Sequence, residues 1–117
     1  MVAHSLIASD RVEGTAVCQP GGKAIGTIQR LMIDKTSGKI AYAVLVFGGF
    51  LGFGQKHFPV PWDALKYDVK AEAYELDINE EQLRQAPSYQ AGEEFDWGDR
   101  SNETGMRARY PRHVGWE

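Results

Sequence analysis

The sequence predicts a mainly β protein: a small, strongly bent antiparallel β-barrel with a short C-terminal helix and an extended tail. Three observations lead there. Short segments of alternating apolar residues recur between tight turn signals, which is the pattern of a small barrel rather than a helical bundle. One run, Ile40 to Phe47, is β-branched and aromatic and apolar on both faces. The composition then changes sharply after Pro87. A chain of 117 residues that is 43% hydrophobic and 25% charged has the makeup of one globular domain with a single modest core.

The elements follow in order. Pro20-Gly21-Gly22 is a turn, because proline presets one backbone angle and glycine accepts the left-handed one. In Lys23 to Asp34 the apolar positions are Ile25, Ile28, Leu31 and Ile33, so the spacing changes from three to two. A strand with a bulge or strong bend near Gln29-Arg30 accommodates that change. Lys35-Thr36-Ser37-Gly38 is a hairpin turn with glycine where positive φ is wanted. Ile40 to Phe47 must line a core with one face, and something else must cover the other. Lys56 to Trp62 alternates Phe58, Val60 and Trp62 against His57, Pro59 and Pro61. Its two prolines remove two ladder donors and mark an edge or a strand end. Leu65, Tyr67 and Val69 alternate, and Tyr74, Leu76 and Ile78 alternate again after a turn at Ala71 to Ala73. Asn79 opens a short helix as N-cap, Glu80 and Glu81 suit its first turn, Gln82 completes a capping box, and Pro87 ends it.

The chain therefore divides into a barrel, residues 1–87, and a polar tail, 88–117, that contains no leucine or isoleucine. Within the tail, Glu93, Glu94, Asp96, Asp99 and Glu103 precede Arg107, Arg109 and Arg112. A segment this polar does not order by itself. Phe95, Trp97, Tyr110 and Trp116 are its candidate anchors, and the doubly apolar strand Ile40 to Phe47 is a candidate surface for them, in the same or a neighbouring molecule. Exchanged tails would make a homo-oligomer.

Between Phe47 and Lys56 lies GGFLGFGQ. A phosphate-cradling loop needs a lysine directly after its last glycine, where this chain has Gln55. Phe50, Leu51 and Phe53 would also crowd the approach of a phosphate. The dinucleotide fingerprint fails too, since no third glycine follows Gly52 and Gly54 at the needed spacing. The stretch reads instead as a flexible hairpin connection with an apolar tip. Such a tip is either a contact surface or a lid folded over the barrel mouth.

Catalytic chemistry finds little support. His4, His57 and His113 have no Cys, His or carboxylate neighbours at metal spacing, so neither a metal nor another cofactor is expected, and His57 is read as a strand residue facing solvent. Asp34 and Asp63 suit turn or cap roles. Asp68, Glu75 and Asp77 supply carboxylates, but nothing in the pattern buries them, and acid–base pairs usually need burial. No serine sits in a nucleophile elbow. Cys18, the single cysteine, is read as a small strand residue and allows no internal disulfide. The net charge of −3 does not favour nucleic acid or an anionic membrane. Arg107, Arg109 and Arg112 with Tyr110 form the one stretch with RNA-binding character, and pairing with the acidic half of the tail is the simpler use for them. No signal peptide is expected from the N-terminus, and the uncharged stretch Ile40 to Gln55 is short of the ~20 apolar residues a spanning helix needs.

Taken together, KAIGTIQRLMIDKTSGKIAYAVLVFGGFLGFGQKHFPVPWDAL resembles a PRC-barrel domain. That module occurs in the cytoplasmic part of the photosynthetic reaction centre H subunit and in the C-terminal half of the ribosome maturation factor RimM. The resemblance rests on the Gly26-centred IGTI, Leu31 to Asp34, the Gly38-Lys39-Ile40 turn, the Tyr42 to Leu45 strand, the GGFLGFG loop and Val60-Pro61-Trp62. It spans roughly positions 6 to 87. The tail, with FDWGDR and RYPRHVGW, is similar to aromatic-rich extensions of some stand-alone bacterial members.

The resemblance implies a PRC-type barrel that serves as an assembly module, with no shared enzymatic motif and no cofactor to carry over. The expected function is a non-enzymatic protein–protein interaction module of the bacterial cytoplasm, a homo-oligomer that also takes protein partners, including membrane-bound complexes, without inserting into the membrane itself. Phe50, Leu51, Phe53, Trp97, Tyr110 and Trp116 are the expected contact residues. The alternative is a ribosome- or RNA-associated factor of RimM-like type using Arg107, Arg109 and Arg112.

Overall fold

A computed structural model of the chain describes residues 6–47, 56–90 and 97. It begins with a single helical turn, α1 (Ser9–Val12), whose N-cap Ala8 offers no side-chain bond. Only Val12 of this turn is buried, and four residues are too few to show a helical period, so the sequence gives no sign of it. Gly14, at φ 86°, reverses the chain, and its N–H donates to Ile28 O at 2.6 Å.

Strands β1 (Ala16–Cys18), β2 (Ala24–Ile33), β3 (Ile40–Phe47) and β4 (Lys56–Pro61) follow. A 3-10 turn (Trp62–Ala64) leads into β5 (Leu65–Asp68), β6 (Ala73–Leu76), α2 (Glu80–Arg84) and β7 (Tyr89–Gln90). The strands form one seven-stranded sheet in the order β5-β6-β1-β2-β3-β4-β7, curled like a barrel but not closed. Neighbours run antiparallel except at one junction, where β1 pairs parallel with β6 through Val17 opposite Tyr74. The purely antiparallel expectation misses that junction because it joins strands distant in sequence, which no local turn signal reports.

The bulge predicted near Gln29-Arg30 is present. Ile28 lies opposite Leu45 and Arg30 opposite Val44, so Gln29 is the extra residue. The shift explains the irregular spacing, because Ile28 and Leu31, three apart, now share a face opposite Leu45 and Ala43. A second shift lies between Val17 and Cys18, where Ile25 goes unpaired and is buried to 1% exposure.

Register divides the sheet into two faces. Ala43, Leu45 and Phe47 of β3 face the core with Ile28 and Leu31 of β2 and Phe58 and Val60 of β4. Phe47 and Phe58 pack edge-on at 5.0 Å. The other face carries Arg30 and Met32, Tyr42, Val44 and Val46, and His57, Pro59 and Pro61. Val44 is nevertheless 0% exposed, so β3 is buried on both sides, as its sequence requires.

The turns use the predicted chemistry. Asp34 Oδ1 accepts from the N–H groups of Thr36 and Ser37, at 2.8 and 3.0 Å, and Gly38 sits at φ 77°. Asn79 and Gln82 complete the capping box, with bonds of 2.8 and 2.9 Å. Leu83 and Ile78 are buried there, and Gln19 Nε2 ties the segment to β1 by donating to Ile78 O at 3.0 Å. One turn differs from its expectation: Val69 leaves the alternating pattern and is 76% exposed, while Ala73 opens β6. Asp68 explains the shift, because its Oδ1 takes the N–H groups of Lys70 and Ala71 and starts the turn two residues early.

Gly26 has a packing role. A Cβ there would meet Val46 O and the Cα and ring of Phe47, all across the β2–β3 ladder. Backbone cannot yield as a side-chain tip can. Gly26→Ala is therefore expected to cost about 1–3 kcal/mol of stability, read as a lower urea midpoint with an unchanged slope.

Candidate functional site

The candidate site is built on the second face of β2, β3 and β4. Because β7 pairs His57 with Tyr89, these side chains share that face with Val46, Val44 and Tyr42. Trp97, seven residues beyond Gln90, completes it. Its ring packs against Tyr42 at 5.9 Å, tilted by 50°, and meets Tyr89 edge-on at 6.3 Å. Tyr89 in turn sits edge-on against His57 at 5.1 Å. The result is a row, Tyr42–Trp97–Tyr89–His57, in which a residue from beyond the last strand lies on the doubly apolar strand.

His57 corrects an expectation. It does not face solvent; it is half-buried under Tyr89, and its Nδ1 is enclosed without a hydrogen-bond partner among the described residues. Burial pushes its pKa below the ordinary 6.5, and the nearby Arg30 guanidinium pushes it further down. Burial also raises the Tyr89 phenol, against a smaller opposing pull from Arg30. The row is thus a half-buried aromatic seam with the Arg30 guanidinium near it.

At the hairpin end of the same face is a cleft of about 380 Å³. Met32, Ile33, Ala41, Tyr42 and Trp97 give it an apolar lining, with Lys35 beside them. Ile33 is 53% exposed there, an unusual state for a strand isoleucine. Asp34 also lines the cleft, but one of its carboxylate oxygens is committed to the turn.

Of the six predicted contact residues, the structure describes Trp97 alone. Phe50, Leu51, Phe53, Tyr110 and Trp116 lie outside the described residues, as do Arg107, Arg109 and Arg112. β3 and β4, which flank residues 48–55 in sequence, are adjacent and antiparallel. Tyr42, Tyr89 and His57 are members of the row that sequence reasoning missed. A signal existed for two of them: period two places His57 with Pro59 and Pro61 on one face, and Tyr89 is an isolated aromatic just after Pro87.

Of the three carboxylates, Asp68 and Glu75 line one cleft and Asp77 does not line it. Asp68 caps its turn, Glu75 lies opposite Lys66, and Asp77 is exposed beyond β6. Cys18 is half-buried at the edge of a second cleft, of about 350 Å³, with Gln19, Tyr74 and Glu75. Among the described residues, no three His, Cys, Asp or Glu side chains gather as metal ligands, and no helix is long and apolar enough to cross a membrane.

The family model for the PRC-barrel domain matches residues 5–83. No curated protein matches the chain.

His57 makes stability depend on pH in a defined direction. Unfolded, it takes up a proton near 6.5; folded, it does so only at lower pH, so the unfolded chain binds more protons between the two values. Its contribution is complete above 6.5 and is lost as pH falls through that value toward the folded pKa. Urea midpoints measured on either side of pH 6.5 should fall on the acid side, and His57→Phe, which keeps a ring against Tyr89, should flatten that dependence.

Proposed function

The chain belongs to the PRC-barrel family, and from that premise we propose that it is a non-enzymatic protein–protein interaction module of the bacterial cytoplasm. Its contacts are the apolar tip formed by Phe50, Leu51 and Phe53 and the aromatic residues of the tail, Trp97, Tyr110 and Trp116. Its partners are proteins, membrane-bound complexes among them, and it forms homo-oligomers.

The observation that carries this reading is the seating of Trp97. A tryptophan from a polar stretch rests on Tyr42 and Tyr89 and leaves a partly open apolar cleft beside it, with Ile33 exposed. Aromatic residues with one face packed and one open are favoured anchors at protein interfaces. The ladder adds a second support. β3 and β4, which flank the 48–55 stretch in sequence, pair up to Val46 and His57, and loops carried by paired strands are common contact elements.

Affinity capture from bacterial lysate, soluble and detergent-extracted and nuclease-treated, tests the reading. Wild type is compared with Leu51→Asp/Phe53→Asp and with Trp97→Ala. A defined protein retained by wild type and lost from folded variants is the expected result. Equal capture by the folded loop variant would overturn the loop assignment, and loss of all capture on nuclease treatment would favour an RNA-linked role instead.

A further inference from the structure

The two ends of the sheet are not equivalent. At one end, β4 carries Pro59 and Pro61, which have no N–H to donate, and β7 pairs only with Lys56 and His57. That edge resists further strand addition. At the other end, β5 pairs only with β6 among the described strands and has neither proline nor bulge. Exposed edges of that kind invite another strand unless something blocks them.

From the edge's own side chains we infer that β5 is a homotypic interface, at which two copies of the chain join their sheets antiparallel about a twofold axis at Tyr67. This goes beyond the loop-and-tail reading and uses none of its residues. In this register Lys66 of each copy lies opposite Asp68 of the other, so the ionic contact forms twice. Both residues are exposed. Among the described residues neither is in a side-chain ion pair, and the Asp68 side chain bonds through one carboxylate oxygen to its own turn. A lysine on an edge normally discourages pairing, but an aspartate two residues away removes that obstacle for a second copy alone. Glu75 of β6, opposite Lys66 within the chain, extends the alternation to Glu–Lys–Asp across the joint.

The opposite face fits the same register. Tyr67 ends an aromatic row in which Tyr74 packs against Trp62 at 5.5 Å and against Tyr67 at 5.0 Å. Tyr67 is half-buried, with its outer side at the edge. The twofold brings the two Tyr67 rings together and joins the rows of both copies. Val69, 76% exposed in the turn that ends β5, would stand beside Leu65 of the second copy. An interface this short is weak, so association depends on concentration.

Sedimentation velocity on the full chain over a wide range of micromolar concentrations tests it, with circular dichroism to verify folding. Wild type should shift from monomer toward dimer as concentration rises. Lys66→Glu turns both ionic contacts repulsive and should weaken the dimer about tenfold. Asp68→Lys should do the same, and an equimolar mixture of these two variants should associate again, because each then meets its complement. Should Asp68→Lys lose its turn and fail to fold, Val69→Lys is read in its place and should also weaken the dimer. Wild type that stays monomeric throughout overturns the proposal, as does a folded Lys66→Glu that dimerises like wild type. The Leu51→Asp/Phe53→Asp variant should dimerise normally. If it does not, association runs through the loop, and the β5 interface is wrong while the loop reading stands.

Discussion

The constraint on which this structure depends is that β3 has no polar face to give to water. Eight residues, IAYAVLVF, place Ala43, Leu45 and Phe47 in the barrel core and Tyr42, Val44 and Val46 on the reverse side. At ~25 cal/mol per Å², leaving a Tyr–Val–Val stripe in solvent would forfeit several kcal/mol, a large share of the net stability of a domain this size. A sheet closed around one core satisfies only half of the strand. The other half needs a cover, and Tyr89 and Trp97 form part of it. Tyr89 and Trp97 are for that reason tied to the stability of the sheet.

The same constraint orders the neighbours of β3. On one side, the Gln29 bulge re-aims β2 so that Ile28 and Leu31 both reach the core while Arg30 and Met32 fall on the reverse face. Gly26 lets β2 approach closely enough for Phe47 to pack across it. On the other side, Pro59 and Pro61 give β4 apolar bulk opposite Val44 and Tyr42 without offering a donor to a further strand. No fully buried residue among those described is polar or charged, so selection of this register rests on apolar packing and backbone pairing alone. His57 is the nearest exception, a half-buried imidazole whose pKa burial and Arg30 hold below the ordinary value.

Function and fold meet at the margins of this arrangement. The cleft beside Trp97 lies where the reverse face runs out, at the hairpin end of β2 and β3, and Ile33 remains exposed there. The β5 edge, paired on one side among the described strands, lies where the strand order runs out. Both are margins of the described sheet, and the proposed contacts are placed there.

The sequence by itself determined what short-range physics controls. It determined the turns at Pro20–Gly22 and Lys35–Gly38, the capping box at Asn79, the bulge at Gln29, and the need of Ile40–Phe47 for cover on both faces. Each depends on residues within a few positions of one another, so the pattern carries the answer. Tertiary structure decided what depends on chain segments brought together from afar. It paired β1 with β6 in parallel, set Trp97 on Tyr42, and turned His57 from a solvent-facing strand residue into a half-buried member of an aromatic row. Such outcomes depend on which surfaces meet, and apolar burial is non-directional: it demands a partner for β3 without specifying which residue supplies one.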